Sequence, residues 1–350
     1  MTQSPERRPR VLIVDDSALM RELMSEILSA SGKLDVVGTA TDPLIAREKI
    51  KALNPDVITL DIEMPRMDGL SFLERLMALR PMPVVIVSTL AQHGADTTLR
   101  ALELGAVDYV PKPTSDLADA LSSMESEIVE KVCAAAAARV RQRAMLGRSA
   151  AVHAAPSAPV RDDRLIAIGS STGGVEALQE LLPALPADCP PVAVVQHMPP
   201  GFTAQFAARL DKRCAAHVRE AEDGLELARG MAVIAKGGNH LAVAREGRKL
   251  RCRVYEAPLE SGHRPSVDCL FQSVADNVKS RAVGAILTGM GHDGTKGLLA
   301  MRQAGARTFG QNEESCLIYG MPKSARLAGA VEEELTLTQM AGALLSVEVR

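Results

Sequence analysis

Residues 11–30 read VLIVDDSALMRELMSEILSA, and this stretch holds the fold in miniature. Val11–Val14 is a four-residue apolar run, the length of a buried strand rather than a helix. Two acids follow, Asp15 and Asp16. Ala18–Ala30 then carries Leu19, Leu23 and Ile27 at spacing four, which places them along one helix face. Strand, acidic turn and amphipathic helix make one βα unit. The texture repeats outward, with apolar runs at Leu34–Gly38, Val57–Leu60, Val84–Val87 and Val107–Val110 between longer amphipathic segments. Strands alternating with helices predict a parallel sheet. Five such units in about 110 residues predict a flavodoxin-like, doubly wound α/β domain over residues 10–117.

The whole chain has 350 residues, enough for two or three domains at roughly 100–200 residues each. Its 47% hydrophobic and 24% charged residues exclude a disordered or fibrous chain. Forty basic against 43 acidic residues give a net charge of −3, which excludes a globally basic nucleic-acid binder. With no Trp, three Tyr and five Phe, a surface of stacked aromatics for single-stranded nucleic acid is also excluded. The six cysteines (133, 189, 214, 252, 269 and 316) form no C-x-x-C, so reduced thiols in a cytoplasmic protein are expected. MTQSPERRPR lacks the apolar segment of a signal peptide, and no run of 18 apolar residues predicts membrane insertion.

Composition changes between about Leu117 and Asp163. A helix-compatible segment, Leu121–Met145, leads into GRSAAVHAAPSAPVRDD, where Pro156 and Pro159 stop any helix. The expectation is a linker over residues 118–163, helical in its first half and flexible in its second, followed by a second α/β domain over 164–350.

In doubly wound sheets, ligands bind beyond the carboxyl ends of the strands. There the first domain carries Asp15 and Asp16 after strand one, Asp61 after strand three, Ser88 after strand four and Lys112 after strand five. An acid after a strand is also an ordinary turn or N-cap residue. Five such side chains converging is a different matter. Three carboxylates repel unless a hard cation such as Mg2+ sits among them. A lysine and a hydroxyl beside it complete a site for a phosphoryl group. Asp61, alone at its strand end, is the candidate phosphoryl acceptor.

From Arg164 to Arg350 there are 21 Lys+Arg and 20 Asp+Glu, without the basic footprint of a DNA-binding output module. Leu165–Ile168 runs straight into GSSTGG, with a helical stretch from Val175. Such a loop can cradle a phosphate, although neither the dinucleotide fingerprint nor the P-loop lysine is present. Alternatively, Gly169, Ser171 and Gly173 match G-x-S-x-G, a nucleophile elbow. The strand Val192–Gln196 ends at His197, and Val283–Leu287 leads into a Gly-rich loop bearing Asp293. A Ser, a His and an Asp at three parallel-strand ends meet the geometric requirement of a hydrolytic triad. Their chain order, Ser…His…Asp, differs from that of α/β-hydrolases. His217, His240, His263 and His292 are rival bases. His240 and His263 lie in a segment that reads as a β-hairpin with its exit loop, and they rank second, as substrate-shaping or plain loop polar residues.

The motifs VLIVDDSALMR, DVITLDIEMPRMDGL, VVIVST and ALELGAVDYVPKP resemble the response-regulator receiver domain. That resemblance implies phosphorylation of Asp61 by a chemotaxis histidine kinase. It also implies Mg2+ held by Asp15, Asp16, Asp61 and the Glu63 carbonyl, with Ser88 and Lys112 as switch residues. IAIGSSTGGVEAL, VVQHMPPGF, SGHRPSVDCLF and ILTGMGHDGTKGLLAMRQAG are similar to the catalytic domain of the bacterial chemotaxis-receptor protein-glutamate methylesterase family. This second resemblance implies Ser171 as nucleophile, His197 as base and Asp293 as its orienting acid, with backbone N–H groups near Thr172 and Met290 for the oxyanion. The implied substrates are glutamate methyl esters of methyl-accepting chemoreceptors, with deamidation of receptor glutamines as a second activity. No cofactor is expected in the catalytic domain, and a monomer is expected. The first loop has Ser170 where the family often has alanine, and Ser171 is preferred because it is central in G-x-S-x-G. Control is expected to be steric, the unphosphorylated receiver restraining the esterase. An inactive scaffold and a general small-ester hydrolase are the rival functions.

Overall fold

The computed structural model describes residues 7–64, 69–88, 92–112, 118–138, 140 and 164–346. The chain forms two compact units, divided near Leu146.

The first unit holds β1 (Arg10–Val14), α1 (Ala18–Ala30), β2 (Asp35–Ala40), α2 (Pro43–Leu53), β3 (Val57–Asp61), α3 (Gly69–Leu79), β4 (Val84–Ser88), α4 (Gln92–Glu103), β5 (Asp108–Pro111) and α5 (Ala118–Ala136). Its parallel sheet has the order β2-β1-β3-β4-β5. The order reverses between β1 and β3, and there the crevice for a ligand opens at the strands' carboxyl ends. The central strands are mostly apolar because both their faces are covered: Val11, Leu12, Val57, Ile58, Val84 and Ile86 are fully buried.

Two expectations are corrected here. In α1 the buried residues are Met24, Ile27 and Leu28, while Leu19 is 74% exposed. Three residues at a constant spacing of four drift about 40° per step around a helix of 3.6 residues per turn, so that stripe leaves the core. The second correction concerns the linker. Its helical half is α5, which packs on β5, β4, β3 and α1 and buries Ile128, Val132 and Ala135. This helix belongs to the first unit, which therefore extends past residue 117. The proline-containing half, residues 141–163, lies outside the described residues.

The second unit holds β6 (Leu165–Ser170), α6 (Gly174–Leu181), β7 (Val192–Gln196), α7 (Phe202–Asp211), β8 (His217–Glu220), β9 (Met231–Ile234), β10 (His240–Glu246), β11 (Lys249–Tyr255), α8 (Val267–Asn277), β12 (Ala282–Ile286), α9 (Thr295–Gln303), β13 (Arg307–Gln311), α10 (Met321–Leu327), β14 (Glu333–Leu335) and α11 (Leu337–Leu345). Seven parallel strands form one sheet, β14-β13-β12-β6-β7-β9-β8. The chain starts at β6, builds towards β8, then returns to the other side of β6 with β12. That reversal lies between β6 and β12. The hairpin β10–β11, expected from its glycine punctuation, is antiparallel and separate from the sheet. Its Leu241, Val243, Leu250 and Cys252 pack with Leu270, Phe271 and Val274 of α8 and with Leu165, Ala167 and Ile286 of the sheet in one core.

Candidate active site

In the first unit the acids gather at the β1/β3 reversal. Carboxylate oxygens of Asp15, Asp16 and Asp61 lie within 4.8 Å of one another. Asp61 is fully buried, and its Oδ2 accepts from Lys112 Nζ at 2.7 Å while Oδ1 accepts from Glu63 N–H at 3.0 Å. Burial pushes the Asp15 carboxyl up to about 6, with the charges of Asp61 and Asp16 adding to the rise against the Ser17 N–H and Lys112. Burial works against the Lys112 ammonium too, but the hydrogen bond and charge of Asp61 hold it above its ordinary value. Ser88 is buried beside this lysine, whose backbone N–H donates to the Ser88 carbonyl at 2.9 Å. A packed set of hard oxygen donors with too little positive charge suits a small divalent cation. The side chains of Asp15, Asp16, Asp61 and Lys112 therefore meet at one sheet edge, with Ser88 at the end of β4 beside β3.

In the second unit the elbow after β6 carries Ser171. Its N–H is tied to the Thr288 carbonyl at 3.0 Å, which fixes the elbow to the loop after β12. Gly173 takes a positive φ of +79°, and a Cβ there would meet the Leu317 side chain at 2.8 Å, so the turn requires glycine. His197 follows β7. Its Nδ1 lies 3.1 Å from Ser171 Oγ and its Nε2 lies 2.8 Å from Asp293 Oδ2. An ionised carboxylate only accepts, so Nε2 carries the proton and donates to Asp293, and Nδ1 is left to accept from the Ser171 hydroxyl. Relative to the serine-protease template the two ring nitrogens exchange partners, yet the relay is the same.

Asp293 is buried, with only 2% of its surface exposed. Besides His197 it accepts from Ser266 Oγ (2.8 Å), Val267 N–H (2.7 Å) and Asp268 N–H (3.0 Å). These three donors are the N-cap and first turn of α8, so a helix N-terminus faces the buried anion. Burial acts to raise the carboxyl, but the His197 hydrogen bond and charge and the α8 N–H groups outweigh it and hold it at about 2.

The sequence reading passed over Gln196. Its Nε2 donates to the Ser171 carbonyl (2.9 Å) and the His197 carbonyl (3.2 Å), and its Oε1 accepts from the Ser170 hydroxyl (2.7 Å). One amide thus ties the nucleophile loop to the base loop. Ser170 is fully buried and bonded inward to Gln196, away from the role of nucleophile. A polar residue closing an otherwise apolar strand, in VVQH, was the available signal. Ser266 was signalled only by SVD before an apolar helix, the pattern of an N-cap.

The rival histidines fall into place. His217 opens β8 with a 90% exposed side chain. His240 is buried, with Nε2 against the Pro258 carbonyl (2.9 Å) and Nδ1 accepting from Ser266 N–H (3.3 Å). His292 is exposed in the loop before α9. His263 stacks on His197, with ring centroids 3.7 Å apart. Thr172 and Met290 flank Ser171 on the elbow and on the loop after β12, and among the described residues no acceptor stands on the Met290 N–H. The arrangement is a serine–imidazole–carboxylate relay at the β6/β12 reversal, able to carry out acyl transfer.

Residues 166–344 match the CheB methylesterase family and residues 11–122 match the response regulator receiver domain. The protein-glutamate methylesterase/protein-glutamine glutaminase 1 of Dechloromonas aromatica is 51% identical, over 97% of this chain and 98% of the relative. The protein-glutamate methylesterase/protein-glutamine glutaminase of Salmonella typhimurium is 50% identical over 96% of each chain. The CheB methylesterase catalytic domain of Thermotoga maritima, solved as a crystal structure, superposes with a TM-score of 0.52 at 38% identity, covering 53% of this chain and 98% of that one. With an acidic, lysine-capped sheet edge in one unit and a serine–histidine–aspartate relay in the other, the chain belongs to the CheB methylesterase family, with a response regulator receiver domain ahead of the esterase domain.

Proposed function

We propose that Ser171, His197 and Asp293 hydrolyse glutamate γ-methyl esters on methyl-accepting chemoreceptors and deamidate receptor glutamines. The observation that carries this reading is the continuous hydrogen-bonded relay from Ser171 through His197 to Asp293. Ser171 Oγ attacks the γ-carbonyl as His197 Nδ1 takes its proton. Asp293, ionised and facing Nε2–H, stabilises the imidazolium that forms. Backbone N–H groups of Thr172 and Met290 hold the oxyanion, and one such donor is worth roughly 3 kcal/mol. His197 returns the proton to the leaving group, methanol from an ester or ammonia from an amide. Water then attacks the acyl-Ser171 ester with His197 again as base, and the receptor carboxylate is released.

Activity is controlled through Asp61, whose carboxylate accepts a phosphoryl group from a chemotaxis histidine kinase. Asp15, Asp16, Asp61 and the Glu63 carbonyl would hold Mg2+, whose charge would offset that of the phosphoryl oxygens. Lys112 pairs with the new charge in place of the Asp61 carboxylate it now contacts, and the Ser88 hydroxyl donates to the phosphoryl group. Among the described residues no helix is long and apolar enough to cross a membrane, and the chain acts as a cytoplasmic monomer that meets its receptors at the membrane surface.

Methanol release from methylated receptor membranes tests the reading. A small-molecule phosphodonor with Mg2+ raises the rate, and Asp61→Asn removes that rise while keeping the basal rate. A rate indifferent to the phosphodonor would sink the regulatory half. Equal turnover of a generic ester in the absence of receptor would favour a general esterase instead.

A further inference from the structure

The relay holds the base only at its edge. His197 meets Ser171 through Nδ1 and Asp293 through Nε2, and the lone pair or N–H of each imidazole nitrogen is directed in the ring plane. These two bonds fix where the ring edge sits but resist a tilt of the ring out of that plane only weakly, because a hydrogen bond tolerates some misalignment. A tilt that lifts Nδ1 out of the plane swings its lone pair off the Ser171 hydroxyl, and proton transfer is sensitive to that alignment. Something flat against the ring face is needed to stop it.

His263 occupies that face. The two imidazoles stack with centroids 3.7 Å apart and planes 17° from parallel. His263 sits in a turn closed by two backbone hydrogen bonds, Glu260 N–H to the His263 carbonyl (3.1 Å) and His263 N–H to the Glu260 carbonyl (3.0 Å). Both flanks of the turn are pinned: Arg264 Nη1 donates to the Ala257 carbonyl (2.8 Å) and Ser261 Oγ to Asp268 Oδ2 (3.2 Å). Three residues further on, Ser266 opens the helix whose N-terminus holds Asp293. One segment, 260–268, therefore sets both the edge partner and the face partner of the base.

We propose that His263 is a positioning residue for the esterase: its ring holds the plane of the His197 imidazole during proton transfer. This rests on the reading of Ser171, His197 and Asp293 as the hydrolytic relay. The role is played by a flat ring, and needs neither of the His263 nitrogens.

The test is steady-state methanol release by the full-length, phosphodonor-treated enzyme, with His263→Ala, His263→Leu, His263→Phe and Ser171→Ala compared with the parent. His263→Ala is expected to lower kcat by about 10- to 100-fold with KM unchanged, as for a small misplacement of a reacting group. His263→Leu fills the space without a flat ring and is expected to lower kcat similarly, so that a poorly folded alanine variant does not decide the matter. His263→Phe restores most of the lost kcat. Parent-like kcat in both the alanine and leucine variants overturns the proposal. So does a phenylalanine variant no better than leucine, or an effect confined to KM, which would make His263 a substrate contact. Loss of activity in Ser171→Ala keeps the underlying relay reading intact whatever His263 does, whereas an active Ser171→Ala enzyme sinks that reading itself.

Discussion

A carboxylate as buried as Asp293 stays ionised only because four donors converge on it: His197 Nε2–H, the Ser266 hydroxyl and the N–H groups of Val267 and Asp268. This has a consequence for stability. The folded carboxyl titrates at about 2 against an ordinary 3.8. A depressed carboxyl contributes stability that is fully present above about pH 4 and is lost as pH falls through the folded value near 2. A shift of this size corresponds to roughly 2 kcal/mol. Thermal melting of the second unit should therefore show a fall between about pH 4 and pH 2. Ser266→Ala removes one donor and the cap of α8, costing about 1 kcal/mol at neutral pH, and its deficit should narrow in that acid window. A deficit that is constant with pH would show that Ser266 serves only as a cap. That Ser171, His197 and Asp293 would come together was readable because the first two directly follow apolar strands and the third lies in the loop after another, and parallel topology brings strand ends to one edge. Gln196 and Ser266 were not legible. Their roles depend on which strands and helices lie side by side, as in the pairing of Ser170 with Gln196 across β6 and β7.

Between elements, the decisive contact is β6 against the start of α8. Gly169 makes it possible: a Cβ there would lie 2.2 Å from Val267 Cγ1 and 3.2 Å from the Phe271 ring. The first glycine of G-x-S-x-G thus lets the helix N-terminus that holds Asp293 approach the strand that presents Ser171. Gly169→Ala should cost roughly 1–3 kcal/mol by overpacking and lower turnover by moving Val267 away from Asp293. Gly342, inside α11, has open space where its Cβ would go, so Gly342→Ala should gain about 0.4–1 kcal/mol and leave turnover unchanged. Chemical denaturation with parallel assays checks both, and equal effects of the two substitutions would contradict the account of Gly169. Strand and helix alternation was readable from apolar periodicity. The assignment of α5 was not, because its alanine-rich sequence suits any helix, and only the burial of Ile128 and Val132 against α1 and the sheet ties it to the first unit.

At the scale of the molecule, each unit gathers its candidate site where its strand order reverses, between β1 and β3 in one and between β6 and β12 in the other. The sequence supplied the five strands of the first sheet and three of the seven in the second, β6, β7 and β12, with their terminal residues. The order of seven strands in the second sheet is a matter of long-range register that no local pattern encodes. The second unit has its own core, built from the sheet, α8 and the β10–β11 hairpin, and a chain starting at Arg164 is expected to fold. If the unphosphorylated receiver restrains the esterase, this truncated chain should release methanol faster than the unphosphorylated full-length protein, and a slower rate would remove autoinhibition from the account. The claim on which all else depends is that Ser171 is the nucleophile of a relay with His197 and Asp293. Labelling with a fluorophosphonate, followed by peptide mass mapping, tests it most directly. The account predicts one adduct, on Ser171, absent in Ser171→Ala and strongly slowed in His197→Gln. An adduct on Ser170, or labelling that persists unchanged without His197, would contradict it.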